Sequence, residues 1–367
     1  MAETKRNRII FLDMMRALAV LMMVEGHTID TFLSDQYRTF DSTLFSIWFT
    51  IRGFTAPIFM FTSGVAFTYL LRSVKEPFFQ NPRVQKGFLR FLTLVVIGYL
   101  LRYPTFSVLD FSVVTREQWM GFFTVDALHL IGFGLLFILG LSYISEKLKI
   151  GDFTIFSIGA LFFFGMFNFT ETINWANYLP IPFAGYLYHG TGSYFPFFPW
   201  AGYVICGGIL GSYLAHNPDS FTSTKFSLRL FYIGAGILIL SQIIEAAEDI
   251  FYGKEEFWTD NFYVITLRLG GIILLNSFMS FVASKLKNIP EFVKQVGRHT
   301  LLVYSVHVII LYGSAWVPGL NLIFSRRMDV FSSIVSAIII VVLMALMVLA
   351  IEKIKSNRKN KLAAAEA

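Results

Sequence analysis

The stretch Ile9-Ile-Phe-Leu-Asp13-Met-Met-Arg16-Ala-Leu-Ala-Val-Leu-Met-Met-Val-Glu25-Gly-His27-Thr-Ile-Asp30-Thr-Phe-Leu33 decides the fold class. As a helix it would extend about 37 Å at 1.5 Å per residue, more than the roughly 30 Å hydrocarbon core of a bilayer. Between its few ionisable residues it is apolar throughout, so the expectation is a membrane-spanning helix. An ionisable group at that depth is costly and by default marks a functional site. Arg16 and His27 have ten residues between them. Eleven steps of about 100° return His27 to within about 20° of Arg16, about 16 Å further along the axis. One face thus carries a permanent cation near one surface and a titratable imidazole near the other. Asp13 shares the His27 face and lies three residues before Arg16, a spacing that permits an ion pair, whereas Glu25 points roughly opposite. Two readings stand: a structural ion pair with an interfacial histidine, or His27 as general base on an incoming hydroxyl or amine.

The whole chain extends this picture. It has 367 residues, 55% hydrophobic and only 15% charged, against about 25% charged in soluble domains. The expectation is an all-α, polytopic integral membrane protein, folded as a single domain over 1–367 with short basic tails at 1–8 and 353–367. Forty-one Phe, 16 Tyr and 6 Trp suit lipid-facing surface and interfacial belts. Cys206 is the one cysteine, which excludes an internal disulfide framework and a cysteine-based zinc site. No small-residue cleavage site follows the first apolar run, so it reads as a retained span rather than a signal peptide. The net charge of +6 does not indicate nucleic-acid binding, because the basic residues sit at helix ends rather than in one patch.

Ten segments reach spanning length: 9–30, 44–71, 87–104, 123–144, 153–170, 195–215, 226–246, 262–284, 299–316 and 330–352. Alternate connections hold 21 of the 30 basic residues, among them Arg72, Lys75, Arg83, Lys86 and Arg90, while the opposite side holds six. The positive-inside rule then places both termini in the cytoplasm. Pairs such as Gly207 with Gly211, Gly234 with Gly236 and Gly270 with Gly271 predict close helix packing. No internal repeat of the inverted-transporter kind is visible.

Further candidates lie along the chain. Arg52 would face the outer half, to pair with Glu25 or hold a polar substrate, and Pro57 should kink the second span. Asp126 and His129 are three apart near the outer surface. Tyr304 and His307 fall inside the ninth span and Arg268 inside the eighth. The long segment Glu171–Pro199 is rich in rings, including Trp175 and His189, and suits either sugar stacking or interfacial anchoring. The segment Glu245–Asp260 is acidic and reads as a solvated loop. His216 and His299 fall at helix ends and are read as structural. The deep histidines lack metal-ligand spacing, so no metal is expected.

Taken in order, these motifs resemble a known group. Arg16 followed by ten residues and His27 resembles the Arg-x10-His signature of transmembrane acyltransferases. Ala56-Pro-Ile-Phe-Met-Phe-Thr-Ser-Gly64, Phe198-Pro-Trp-Ala-Gly202 and Gly297-Arg-His-Thr-Leu-Leu-Val-Tyr304-Ser-Val-His307 resemble the heparan-α-glucosaminide N-acetyltransferase catalytic-domain family, and bacterial type-three acyltransferases are similar. The resemblance implies a ten- or eleven-helix enzyme that moves an acyl group, an acetyl group first of all, from cytoplasmic acyl-CoA. The acceptor would be a sugar hydroxyl or amine across the membrane. It implies His27 as general base or acyl carrier, with Arg16 and Asp13 beside it. Arg16, Arg72, Arg83, Lys86 and Arg90 would receive the donor. Glu25, Arg52, Asp126, His129, Trp175, His189 and His307 are the substrate-side candidates. Acyl-CoA would be a substrate rather than a resident cofactor. Partners would be the acceptor glycan, the lipid bilayer and, compatibly, a second copy of the chain; the location would be a bacterial inner membrane. The rival reading is a transporter of a small polar or anionic solute that uses Arg16, Arg52 and Arg268.

Overall fold

The computed structural model describes residues 9–252, 261–286 and 289–366. The tail 1–8, the acidic stretch holding Lys254, Glu255, Glu256 and Asp260, and Lys287 lie outside the described residues. In chain order the helices are α1 (Ile10–Phe32), α2 (Thr43–Arg52), α3 (Thr55–Arg72), α4 (Pro82–Leu101), α5 (Arg116–Phe123), α6 (Ala127–Leu148), α7 (Asp152–Gly165) and α8 (Phe167–Glu171). They continue as α9 (Ile181–Ala184), α10 (Phe197–His216), α11 (Thr224–Tyr252), α12 (Phe262–Lys285), α13 (Glu291–Arg298), α14 (Thr300–Tyr312), α15 (Asn321–Phe324) and α16 (Val330–Glu366). Among the described residues β structure is limited to two isolated bridges, Leu33 with Met328 and Gly313 with Pro318. The protein is all-α and integral to a membrane.

Among the described residues eight helical runs are long and apolar enough to cross a bilayer, and they fall where eight of the ten expected spans lie. The other two expected spans are also helical, with differences. α1 has 23 residues but carries Asp13, Arg16, Glu25 and Asp30, and α14 has only 13 residues, about 20 Å. α16 runs on for 37 residues, so the basic segment expected after 352 continues the last helix.

The second expected span is broken, and not where proline alone suggested. α2 ends at Arg52 and α3 starts at Thr55, with a turn at Gly53 and Phe54. Pro57 falls in the first turn of α3, where a missing N–H removes no helical hydrogen bond. The interruption therefore precedes the proline.

The residues gather into two compact units, Met1–Leu12 with Ala56–Lys285 and Asp13–Thr55 with Leu286–Ala367. In the first unit α3 and α10 touch backbone to backbone. A Cβ on Gly64 would sit 1.9 Å from the carbonyl oxygen of Val204, and one on Gly207 would sit 2.0 Å from that of Phe61. A Cβ on Gly211 would lie 2.5 Å from the carbonyl oxygen of Val65. Only glycine permits such contact, which is how helices associate where lipid removes the hydrophobic drive. α11 and α12 form a hairpin sealed in the same way at Gly234 and Gly270.

In the second unit the inward face of α1 packs Ala17, Val20 and Val24 against Val296, Val303 and Leu311, with Ile340, Met344 and Val348 of α16 completing the core. A Cβ on Gly297 would lie 2.5 Å from the carbonyl oxygen of Asp13, so the end of α13 rests on the backbone of α1.

Candidate active site

The second unit brings the polar face of α1 against α14. The Arg16 Nη2 donates to Thr300 Oγ1 at 3.2 Å. About three turns on, His27 Nδ1 and His307 Nε2 are 3.1 Å apart, with ring centroids at 5.2 Å and planes tilted by 32°. Both partners belong to α14, so Arg16 and His27 share one helix face, as their spacing predicts. Tyr312 meets the His27 ring edge-on at 5.8 Å, and Tyr304 meets His307 at 5.7 Å. His307 is fully buried and His27 half-buried.

The direction of this hydrogen-bond chain is fixed by its last member. His307 Nδ1 lies 2.8 Å from the carbonyl oxygen of Val303, and a carbonyl only accepts, so Nδ1 carries the hydrogen. In the neutral ring Nε2 then holds the lone pair. That lone pair faces His27 Nδ1, which must donate. His27 is thereby held as the tautomer whose Nε2 is basic, the form a general base requires.

The opposite face of α1 is organised by α2. Trp48 Nε1 donates to Glu25 Oε1 at 2.8 Å, and its ring lies under the Arg52 guanidinium at 5.7 Å. Arg52 forms its ion pair with Asp30. Glu25 is already engaged by the indole one turn earlier on α2, and Arg52 reaches past it. Arg38 also pairs with Asp30, at 3.4 Å. Glu25 and Trp48, with Tyr37, Phe45 and Ser333, line a cavity of about 250 Å³.

The remaining candidates lie in the first unit, in separate places. Asp126 caps α6 by accepting from the Leu128 N–H at 3.1 Å and makes a capping box with His129. Arg102 Nε donates to its second oxygen at 3.1 Å. The His129 ring is wholly buried and lies where a Cβ on Gly98 would approach its Nε2 to 2.8 Å. Trp175 Nε1 donates to the Thr170 carbonyl at 2.9 Å, and His189 pairs with Glu171 at 2.9 Å. These two contacts pin the ring-rich segment to the end of α8. Within that segment, burial and the Tyr99 hydroxyl, 2.9 Å away, push the Tyr186 phenol above its ordinary range.

Arg72 is ion-paired with Asp152, which also accepts from Ser145 Oγ at 2.8 Å and Ser212 Oγ at 2.6 Å. Arg83 is half-buried near the start of α4, with Lys86 and Arg90 exposed further along it. Arg268 is buried over the Trp200 ring at 5.4 Å. Among the described residues no group of three or more His, Cys, Asp or Glu is placed to hold a metal ion.

Sequence reasoning had not assigned roles to Asp30, Trp48 and Thr300. A signal existed for the first two: Asp30 follows His27 by three residues and Trp48 precedes Arg52 by four, both helical neighbours. Thr300 had none, since its partner lies 284 positions away.

The family model described as heparan-alpha-glucosaminide N-acetyltransferase, catalytic, matches residues 8–242. The chain belongs to this family. The heparan-alpha-glucosaminide N-acetyltransferase match takes in the Arg16-to-His27 signature, the 56–64 motif and the 198–202 motif, and it ends before the 297–307 motif that carries His307. The expected acyltransferase resemblance is thereby met, and the chain is a membrane protein of an acetyltransferase family. The geometry adds what two family motifs do physically: Gly64 and Gly202 are places where helices meet too closely for a side chain, Gly202 lying against the Phe164 ring. No curated protein matches the chain.

Proposed function

We propose that the protein transfers an acetyl group from acetyl-CoA to a sugar hydroxyl or amine across the membrane, with His27 as the general base. The reading is supported by one observation above all, the chain Val303 carbonyl, His307, His27, which leaves the lone pair of neutral His27 on Nε2, as a general base needs. His27 would take the proton as the acceptor's oxygen or nitrogen attacks the thioester carbonyl. The new C–O or C–N bond forms, the C–S bond breaks, and the imidazolium returns its proton to the departing thiolate. An acyl-histidine intermediate would use the same nitrogen as nucleophile. Arg16, about 16 Å away along α1, and Asp13 sit toward the donor side, and Arg83, Lys86 and Arg90 supply a basic mouth for the phosphates, whereas Arg72 is held by Asp152. Glu25, Arg52 and the ring-rich segment with Trp175 and His189, together with Asp126 and His129, serve the acceptor side.

The basic bias favours both termini in the cytoplasm and ten spans in a bacterial inner membrane. The chain is read as one transmembrane acyltransferase domain over 1–367, and the family match, which covers 8–242, supports that reading.

The test is release of CoA from acetyl-CoA by purified protein on addition of a glycan acceptor. His27→Ala should lower the rate about 10²–10⁴-fold, the usual weight of a general base, while leaving the detergent-solubilised melt unchanged. Undiminished turnover in that variant would overturn the role of His27. Solute uptake into proteoliposomes with no CoA release would favour transport instead.

A further inference from the structure

The first unit contains a cavity of about 930 Å³ that none of the chemistry above uses. Its size is near the upper end of small-molecule pockets, roughly 300–1,000 Å³. Its mouth is built from helix ends: Arg72 ends α3, Asp152 begins α7, His216 ends α10 and Arg229 lies in the second turn of α11. Away from the mouth its lining includes the apolar Phe61 and Ile237. Phe61 lies about 16 Å from Arg72 along α3, and Ile237 about 12 Å from Arg229 along α11. That depth is close to one leaflet, half of the roughly 30 Å hydrocarbon core. Phe153 and Ile233 at its edge are exposed, 72% and 52%, so the cavity opens to the side as well as to the surface.

The charges at the mouth decide the occupant. Asp152 and Arg72 neutralise each other. Beyond that pair the lining offers one cation, Arg229, and one carboxylate, Glu146, both exposed. Arg229 Nη1 donates to Tyr213 Oη at 3.3 Å, leaving the rest of its donor fork for an anion. Among the described residues Glu146 accepts the Phe78 N–H, at 3.1 Å to each oxygen, and it retains further lone pairs. His216 Nδ1 donates to the Ser212 carbonyl at 2.8 Å, so Nε2 of the neutral ring is an acceptor. A mouth with one guanidinium and two acceptors matches a phosphate joined to a primary ammonium. It suits neither the several negative charges of a nucleotide thioester nor a trimethylammonium, which has no N–H to give.

We infer that this cavity seats one acyl chain of a bilayer phospholipid with a primary-amine headgroup, phosphate at Arg229 and ammonium at Glu146 and His216. The occupant is structural to the first unit and takes no part in acetyl transfer, so the inference stands or falls apart from the proposed reaction.

Native mass spectrometry of delipidated full-length protein tests it, using phospholipids with identical chains and ethanolamine, choline or glycerol headgroups. The ethanolamine lipid should bind about tenfold tighter than either of the others, the worth of one charge-assisted hydrogen bond. Glu146→Gln should erase the preference over choline, and Arg229→Ala should weaken all three lipids. Ile237→Trp should fill the apolar part of the cavity and abolish the adduct. Should that variant fail to fold, the Glu146→Gln comparison decides alone. Equal affinity for the three headgroups, a preference for glycerol, or a headgroup preference unmoved by Glu146→Gln would overturn the inference.

Discussion

His307→Leu offers the sharpest test of the hydrogen-bond chain. The leucine keeps an apolar side chain of comparable bulk on α14 but offers no acceptor to His27 Nδ1, now 3.1 Å from His307 Nε2. With that bond gone, the two tautomers of His27 compete and the imidazolium formed during attack loses an acceptor. A hydrogen bond to a charged group contributes about 1.5–3 kcal/mol, which at about 1.4 kcal/mol per tenfold corresponds to a kcat lower by roughly 10–150-fold. The loss should be smaller than that of His27→Ala, because the base itself remains. His307→Gln provides the control, since its side-chain carbonyl can accept from Nδ1 and should restore most of the rate. The assay is steady-state CoA release with acetyl-CoA and acceptor varied separately. The KM for acetyl-CoA should stay constant, because His307 is buried behind His27 and is not placed to touch the donor. A His307→Leu enzyme at full speed, or a glutamine variant as slow as the leucine one, would refute the tautomer argument. A parallel melt in detergent separates this from a packing defect, which would shift stability in both variants alike.

Three further outcomes follow from the packing. Gly207→Val places a Cβ 2.0 Å from the Phe61 carbonyl oxygen, and such overpacking should cost about 1–3 kcal/mol or more, seen as a lower melting temperature. The same change at Gly236, where nothing lies within 4 Å, should be far milder. Asp152→Ala removes the partner of the largely buried Arg72 and should destabilise by up to about 3–5 kcal/mol; Arg72→Leu added to it should recover much of the loss in a double-mutant cycle. Trp48→Phe keeps the ring beneath Arg52 but takes the N–H from Glu25. A loss of about 1.5–3 kcal/mol in the melt is expected, and no change would mean the bond carries no weight.

Much of the fold was legible because membrane helices announce themselves. Length and apolarity located eight of the spans, since a bilayer leaves no other way to satisfy the backbone of such segments. The break between α2 and α3 was misplaced because proline was weighed by its presence rather than its position. In the first turn it is harmless, and the chain turns at Gly53 and Phe54 instead. The candidate site was half legible. Helical geometry gave the common face of Arg16 and His27, while Asp126 with His129, equally well spaced, became a helix cap and a buried ring. Spacing alone does not distinguish the two outcomes, because both need the same three-residue step.

What the sequence determined by itself is therefore local and one-dimensional: which segments must be helices in lipid, and which side chains share a face of α1. Only the tertiary structure decided what that face meets. His307 lies 280 positions from His27, and no periodicity within either helix encodes that they pack together. The same holds for Gly64 beneath Val204 and for Arg72 beside Asp152. Helical pitch fixes direction around an axis, but the identity of the neighbour is set by the summed fit of distant surfaces.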